Sequence, residues 1–137
     1  MKRIIFIIFV MVIVFAGCSN VNNDLNLEKG ENIEKSEYKK ISAEEAKKII
    51  EEEDVVILDV RTGEEYNVGH IKDSVLLPVT EIPDKVKNII PDKETKILVY
   101  CRSGNRSATA SKTLLDMGYK NVMDFGGINS WPYDIVK

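Results

Sequence analysis

Four short, almost entirely apolar runs are the feature that most constrains the fold of this chain. They are Val55–Val60, Val75–Leu77, Ile97–Tyr100 and Val122–Phe125. Runs of this length are typical of strands buried on both faces, because a solvated face would add alternating polar residues. Segments with helix signals separate the runs, and strands that alternate with helices form a parallel sheet. The sequence therefore predicts an α/β fold, a parallel sheet flanked by helices on both faces.

The segments between the runs carry signals for the starts and ends of helices. Ser42–Glu45 and Thr62–Glu65 have the capping-box form, in which the first and fourth residues bond each other's backbone. Pro83 suits the first turn of a helix, and Gly118 suits the position just after one. The predicted helices run from Ser42 to about Glu53, from Thr62 over a short stretch, from Pro83 to Ile90, and from Ser107 to Met117.

The segment Tyr100–Ala108 carries the most distinctive chemistry. Cys101 stands where an apolar run gives way to a short loop and then to a helix N-terminus. Backbone N–H groups converge in such a loop, and the helix dipole adds partial positive charge. Arg102 and Arg106 add two full charges. This environment favours a thiolate and an anionic substrate beside it, at the strand ends where parallel sheets bind ligands.

The N-terminus has the order of features of a bacterial lipoprotein signal. Lys2–Arg3 precede the apolar run 4–16, which is shorter than the roughly 20 residues of a spanning helix. Phe15-Ala16-Gly17-Cys18 resembles a lipobox, with phenylalanine in place of the usual leucine. The resemblance implies a signal peptide over 1–17, lipid on Cys18, and anchoring to the extracytoplasmic face of the cell membrane. An uncleaved signal anchor and an ordinary signal peptide are the alternatives.

Residues 18–37 are expected to form a flexible tether between the lipidated N-terminus and a globular part. This segment is rich in Asn, Asp, Glu, Lys and Ser, and its few apolar residues follow no period. Such a composition buries too little surface to offset the entropy of ordering. The globular domain is predicted to span 38–137.

Charge and composition exclude several classes of function. The formal net charge is -3 and no basic block is present, which argues against a nucleic-acid partner. The chain has two cysteines and one histidine, without paired metal-ligand spacing, so no metal site is predicted. No motif for a cofactor is present either. The remaining positive charge of interest is local to the Cys101 loop.

Three motifs in the chain, in the correct order, are similar to those of rhodanese-like domains. The first consists of Leu58-Asp59-Val60-Arg61-Thr62 followed by Glu65-Tyr66 and Gly69-His70-Ile71. The second, Cys101-Arg102-Ser103-Gly104-Asn105-Arg106-Ser107, resembles the active-site loop of single-domain sulfurtransferases. The third is Gly126-Gly127-Ile128-Asn129-Ser130-Trp131. Together they span nearly all of 38–137, and the resemblance therefore implies a complete rhodanese-like domain.

The resemblance implies a two-step transfer of sulfur through Cys101. The cysteine takes a sulfane sulfur from a small anionic donor, thiosulfate or a persulfide, and passes it to a thiol or cyanide acceptor. Gly104 permits a backbone conformation that a β-carbon would obstruct, and Asn105 is expected to serve the same turn. Ser107 is expected to be the helix N-cap. The implied substrate-binding residues are Arg102, Ser103, Gly104, Asn105, Arg106 and Ser107.

Other residues are interpreted as structural support. Asp59 and Arg61 are expected to pair at the end of their strand and to brace the site. His70 is interpreted as a hydrogen-bonded structural residue, with general base as the alternative. Trp131 is expected to pack the last helix against the sheet. For Arg106, pairing with a carboxylate elsewhere in the chain is the alternative to substrate binding.

Two other functions compete with sulfur transfer. Cysteine-dependent phosphatases and arsenate reductases place five residues between cysteine and arginine, whereas four separate Cys101 from Arg106 here. The loop is thus one residue short of wrapping a tetrahedral oxyanion. A persulfide carrier or sulfur-sensing module with little turnover is the second alternative.

Two departures from the family pattern concern the edges of the domain. Asp73-Ser74 stands where small residues, often glycine and alanine, are usual, and the chain after Trp131 lacks the usual closing glycine–proline. A different turn or strand entry is therefore expected after Ile71.

Overall fold

The computed structural model describes residues 36–137. The predicted signal peptide over 1–17, the predicted lipidation site Cys18 and residues 19–35 of the predicted tether lie outside the described residues. Ser36 and Glu37, at the end of that tether, have no regular secondary structure.

The described residues contain one five-stranded sheet. Its strands are β1 (Lys39–Lys40), β2 (Val56–Asp59), β3 (Val75–Leu76), β4 (Lys96–Cys101) and β5 (Asn121–Gly127). Their spatial order is β1-β5-β4-β2-β3, and every neighbouring pair is parallel. The central strand β4 is the one that ends at Cys101, so the cysteine lies at the carboxyl edge of the sheet.

Four helices connect these strands. They are α1 (Ala43–Glu52), α2 (Gly63–Val68), α3 (Ile82–Ile89) and α4 (Asn105–Asp116), with 3₁₀ turns at Val79–Glu81 and Ile128–Ser130. The Thr62–Glu65 capping box is complete, whereas at Ser42 the side chain accepts the Glu45 N–H at 3.1 Å. No helix within 36–137 has the length and apolar character needed to span a membrane.

The central strands send alternate side chains into two apolar clusters, one on each face. Leu58 and Val99 join the cluster that contains Val86 of α3 and Leu114 of α4. Their neighbours on the opposite face join a cluster that contains Ala46 of α1. Helices therefore cover both faces, which confirms the predicted α/β architecture. Cys101 belongs to the cluster under α3 and α4.

Trp131 lies on the face covered by α1. Its ring centroid is 5.5 Å from that of Phe125 and 4.9 Å from that of Tyr133. The expectation that Trp131 packs the last helix against the sheet is wrong, because Ala110 and Leu114 of α4 are buried in the opposite cluster. The periodicity of the sequence does not indicate on which face of the sheet the chain continues after β5.

Strand β1 was not predicted from the sequence. Lys39 and Lys40 are exposed, and their strand exists through backbone pairing with Met123 and Asp124 of β5. The Tyr38 hydroxyl donates to Asp124 Oδ2 at 2.6 Å. Burial and this carboxylate raise the pKa of Tyr38 to about 12. Hydropathy carries no signal for a strand held at a sheet edge by backbone bonds.

The Asp73-Ser74 departure is accommodated in a tight turn before β3. Asp73 has a φ of 64°, a left-handed conformation that aspartate tolerates better than most residues. The Ser74 N–H donates to the Ile71 carbonyl at 3.1 Å. The buried Tyr100 hydroxyl accepts the Ile71 N–H at 3.1 Å and lies 3.1 Å from Ser74 Oγ. Tyr100 therefore holds this turn against the sheet.

We expect Tyr100→Phe to lower the free energy of unfolding by about 1–3 kcal/mol, since it leaves the buried Ile71 N–H without its acceptor. Urea denaturation of the variant and of the wild-type chain measures the difference. Tyr133→Phe is the matched control, because Tyr133 is 36% exposed, and its effect is expected within about 0.5 kcal/mol. Equal effects of the two variants would contradict the role assigned to the Tyr100 hydroxyl.

Candidate active site

Cys101 is a free thiol and the last residue of β4, and its side chain is almost completely buried. Three residues, Arg102–Gly104, separate it from α4. Gly104 is the N-cap of that helix and has a φ of 107°, in the left-handed region where a side chain is strained. The chain thus turns sharply enough for the first turn of α4 to face the sulfur.

Helix α4 begins at Asn105, and the prediction of Ser107 as its N-cap is therefore wrong. Serine is a strong capping residue by preference, but the left-handed Gly104 allows the helix to start earlier. The Ser107 hydroxyl is buried, lying 3.0 Å from the Gly104 carbonyl and 3.2 Å from the Gly126 carbonyl. Its single hydrogen serves one acceptor at a time, and either bond ties the loop to its surroundings.

The loop rests directly on the end of β5. A β-carbon on Gly127 would lie 2.2 Å from the Arg102 carbonyl oxygen, so only glycine fits there without displacing the backbone. The Asn129 N–H donates to the same oxygen at 3.2 Å. Gly126 and Gly127, predicted as a turn, form the end of β5, where its pairing with β4 shifts register between Asp124 and Gly127.

Hydrogen bonds from the loop favour the ionised form of Cys101. The Gly104 N–H donates to Sγ at 3.0 Å. Burial of the thiol opposes ionisation, but bonds from Ser107, Gly104 and Ser103 outweigh it and lower the pKa of Cys101. The loop donors therefore favour the thiolate over the thiol, even though the side chain is buried. Such a thiolate is a nucleophile whose access is restricted to small reactants.

Arg106 is paired with Glu65 of α2. Its Nη1 and Nη2 donate to Glu65 Oε2 and Oε1 at 2.7 and 2.8 Å. The Arg106 guanidinium holds the pKa of Glu65 at about 2, and the carboxylate raises the pKa of Arg106 in return. The carboxylate partner that the sequence left open as an alternative is thus present, while binding of a donor by Arg106 stays a prediction.

The other predicted substrate-binding residues form the outer rim of the loop. Arg102, Ser103 and Asn105 are exposed. Arg102 forms no ion pair with any residue in 36–137. It is therefore the cation of the loop that stands free to meet an anion from solvent.

Asp59 and Arg61 form a buried ion pair at the end of β2. Arg61 Nη2 donates to Asp59 Oδ2 at 2.6 Å and to the Gly69 carbonyl at 2.8 Å. Burial of the guanidinium opposes its charge, but Asp59 more than compensates and raises the pKa of Arg61. The pair joins the end of β2 to the end of α2, whereas the hydrogen bond to the Cys101 sulfur comes from the Gly104 N–H of the loop.

His70 is held by α2 and by the C-terminal segment. Its ring stacks on Tyr66 with 3.7 Å between centroids, and Nδ1 lies 3.0 Å from the Tyr66 carbonyl. Its backbone exchanges two hydrogen bonds with Val136, at 2.9 and 2.8 Å. These contacts hold the imidazole and its backbone in place, and the structural role of His70 stays a prediction.

Glu65 is the site residue that sequence reasoning missed. The sequence places it in the capping box and in the first family motif but gives it no role at the cysteine, although it lies in the first turn of the helix that follows a strand end. No group of His, Cys, Asp and Glu within residues 36–137 is arranged to hold a metal ion.

Comparison with known proteins identifies the family. The family model for the Rhodanese-like domain matches residues 42–133. A sulfurtransferase of Allochromatium vinosum is 37% identical over 87 residues, which are 63% of this chain and 79% of that protein. The thiosulfate sulfurtransferase GlpE of Coxiella burnetii is 34% identical over 95 residues, 69% of this chain and 87% of that protein.

A solved structure has the same fold. The rhodanese-related protein from Thermoplasma volcanium is 35% identical, with a TM-score of 0.64 over 72% of this chain and 98% of that one.

We expect Cys101 to ionise at a lower pH in the folded chain than in the urea-unfolded chain, where thiols titrate near pH 8.5. The measurement is the pH at which the alkylation rate with iodoacetamide reaches half its plateau, because only the thiolate reacts. Mass spectrometry of the peptide that contains Cys101 separates its signal from that of Cys18. A midpoint equal to or above that of the unfolded chain would disprove the stabilisation of the thiolate.

Proposed function

The chain belongs to the rhodanese-like domain family, and on that premise we propose that Cys101 carries sulfur as a persulfide between a small anionic donor and a thiophilic acceptor. Family membership and the sulfurtransferase relatives support sulfurtransferase activity. The observation that carries the proposal is the Cys101 sulfur, buried, favoured as an anion, and bonded by the Gly104 N–H at 3.0 Å.

In the first step the Cys101 thiolate attacks the outer sulfur of the donor. An S–S bond to Cys101 forms as the S–S bond of the donor breaks. The electron pair leaves on sulfite when the donor is thiosulfate, and on a thiolate when it is a persulfide. The terminal sulfur of the new persulfide carries the negative charge, so the step needs no external oxidant or reductant.

In the second step an acceptor removes that terminal sulfur. A thiolate or cyanide attacks it, the Cys101 thiolate leaves, and the resting state returns. The donor groups of the loop serve both steps, because they stabilise negative charge on sulfur at the same place before and after transfer. Arg102 supports the proposal as an exposed cation at the entrance.

We expect thiosulfate or a persulfide to leave one sulfur on Cys101, and cyanide or a thiol to remove it. Intact-mass spectrometry before and after the acceptor measures both changes. Cys101→Ser is the control and should gain nothing, since its oxygen forms no persulfide. An adduct that forms but turns over negligibly would favour the carrier or sensing role, and no adduct with any sulfane donor would disprove sulfur transfer.

We further propose that Cys18 bears lipid and anchors the domain to the extracytoplasmic face of the cell membrane, without a nucleic-acid partner. The support is the sequence: two basic residues, a short apolar run and a lipobox-like ending at Cys18.

We expect Cys18→Ala to move the protein from the membrane fraction to the soluble fraction, provided that the leader is cleaved, because the variant has no thiol to lipidate. Cys101→Ala, at the other cysteine, is the matched control and should stay with the membrane. Partition of a leader-cleaved Cys18→Ala form with membranes would refute the lipid anchor.

A further inference from the structure

We propose that Glu65 sets the donor preference of the Cys101 loop: by neutralising Arg106, it favours an organic persulfide over the thiosulfate dianion. The inference rests on the proposed sulfur transfer and adds to it the substrate class and the residue that selects it. Glu65 is a specificity-determining residue, since it acts through Arg106 and not on the reacting sulfur.

Several hydrogen bonds hold Arg106 and Glu65 together. Two parallel N–H bonds join the side chains, and both are only partly exposed, at 34% and 26%. Glu65 Oε2 also accepts the Thr62 N–H at 3.0 Å and the Thr62 hydroxyl at 3.1 Å. The capping box therefore fixes the carboxylate from the α2 side, and Arg106 cannot turn to a donor without leaving the Glu65 carboxylate without its counter-charge.

Counting charges around the sulfur shows the consequence. Cys101 as thiolate and Arg102 as an unpaired cation sum to zero, and the Arg106–Glu65 pair also sums to zero. Arg106 lies in the first turn of α4, two residues after Gly104, whose N–H donates to the Cys101 sulfur at 3.0 Å, so the pair stands beside the sulfur. Thiosulfate brings two negative charges to a site where one free cation faces one thiolate. A persulfide brings one negative charge or none, so the thiolate repels it less.

The chemistry with such a donor is balanced. The thiolate of Cys101 attacks the terminal sulfur of R–S–S⁻, the new S–S bond forms, and R–S⁻ leaves with the electron pair of the broken bond. Two negative charges enter the step and two leave it. The organic thiolate that leaves carries one negative charge, whereas the sulfite that leaves from thiosulfate carries two.

The test compares Glu65→Gln with Glu64→Gln in the full-length chain. Both variants remove one negative charge from the first turn of α2, but Glu64 is exposed and lies outside the Arg106 pair. The measurement is kcat/KM for thiosulfate and for an alkyl persulfide, with cyanide as the common acceptor. Glu65→Gln should raise the thiosulfate-to-persulfide ratio roughly threefold to tenfold, as one released unit charge predicts at a half-exposed site. Glu64→Gln should change it by less than about twofold.

Two further measurements keep the result decisive. Thr62→Ala removes the hydroxyl bond to Glu65 but keeps the Thr62 N–H bond and both charges of the Arg106 pair, so a ratio that depends on charge should stay unchanged. In the wild-type chain, kcat/KM for thiosulfate should not fall as salt rises, because the site has no net positive charge to screen. This measurement stands even when Glu65→Gln fails to fold.

The outcomes separate this inference from the proposed function. Sulfur transfer from neither donor would end the proposed function itself. If both donors transfer sulfur, three results would overturn only the role of Glu65. The ratio could stay unchanged in Glu65→Gln, or change by the same factor in Glu64→Gln. The third is an equal fall in kcat/KM for both donors in Glu65→Gln. A steep fall of the thiosulfate rate with salt would also overturn it.

Discussion

The site depends on a contact between two stretches of backbone. The Arg102 carbonyl lies where a side chain of Gly127 would stand, so the loop rests on β5 closer than any other residue type allows. That contact fixes the direction in which Gly104 turns back into α4, and the turn brings N–H groups onto the Cys101 sulfur. Because the contact involves main-chain atoms, the loop keeps its shape whatever side chains its rim carries.

Two arginine–carboxylate pairs contact α2 or its C-terminal end, and they have different surroundings. The Asp59–Arg61 pair is fully enclosed and bonds a backbone carbonyl, so it serves the connection between β2 and α2. The Glu65–Arg106 pair is partly exposed and joins α2 to the cysteine loop. Removal of one partner from an enclosed pair leaves a buried charge, which is strongly destabilising. Loss of a partner from the partly exposed pair costs less, so the residue to which we assign donor preference stands where a substitution disturbs the fold least.

The parts predicted from the sequence were those that depend on local patterns. Apolar runs located four strands and Cys101 at the end of the central one, and the Thr62–Glu65 signature located the start of α2. Other features depend on how distant segments meet. Arg106 and Glu65 are 41 positions apart, and their contact depends on how α2 and the first turn of α4 come together in the fold.

The misplaced start of α4 shows a competition between two local preferences. Ser107 is the better capping side chain, yet the left-handed Gly104 decided where the helix begins. Trp131 shows another limit, because an apolar residue after the last strand is equally suited to either face. Strand β1 escaped prediction since its residues are lysines and its pairing is entirely backbone.

Those lysines also affect whether the sheets of two molecules can pair at their edges. A parallel sheet with an open side strand offers unpaired N–H and C=O groups on which another chain can add. Here the outer strand on one side is only two residues long and both are exposed lysines, while the outer strand on the other side ends two residues before Pro78. Like charges and a short ladder oppose edge-to-edge pairing with another sheet, so neither outer strand is a good template for a neighbouring copy.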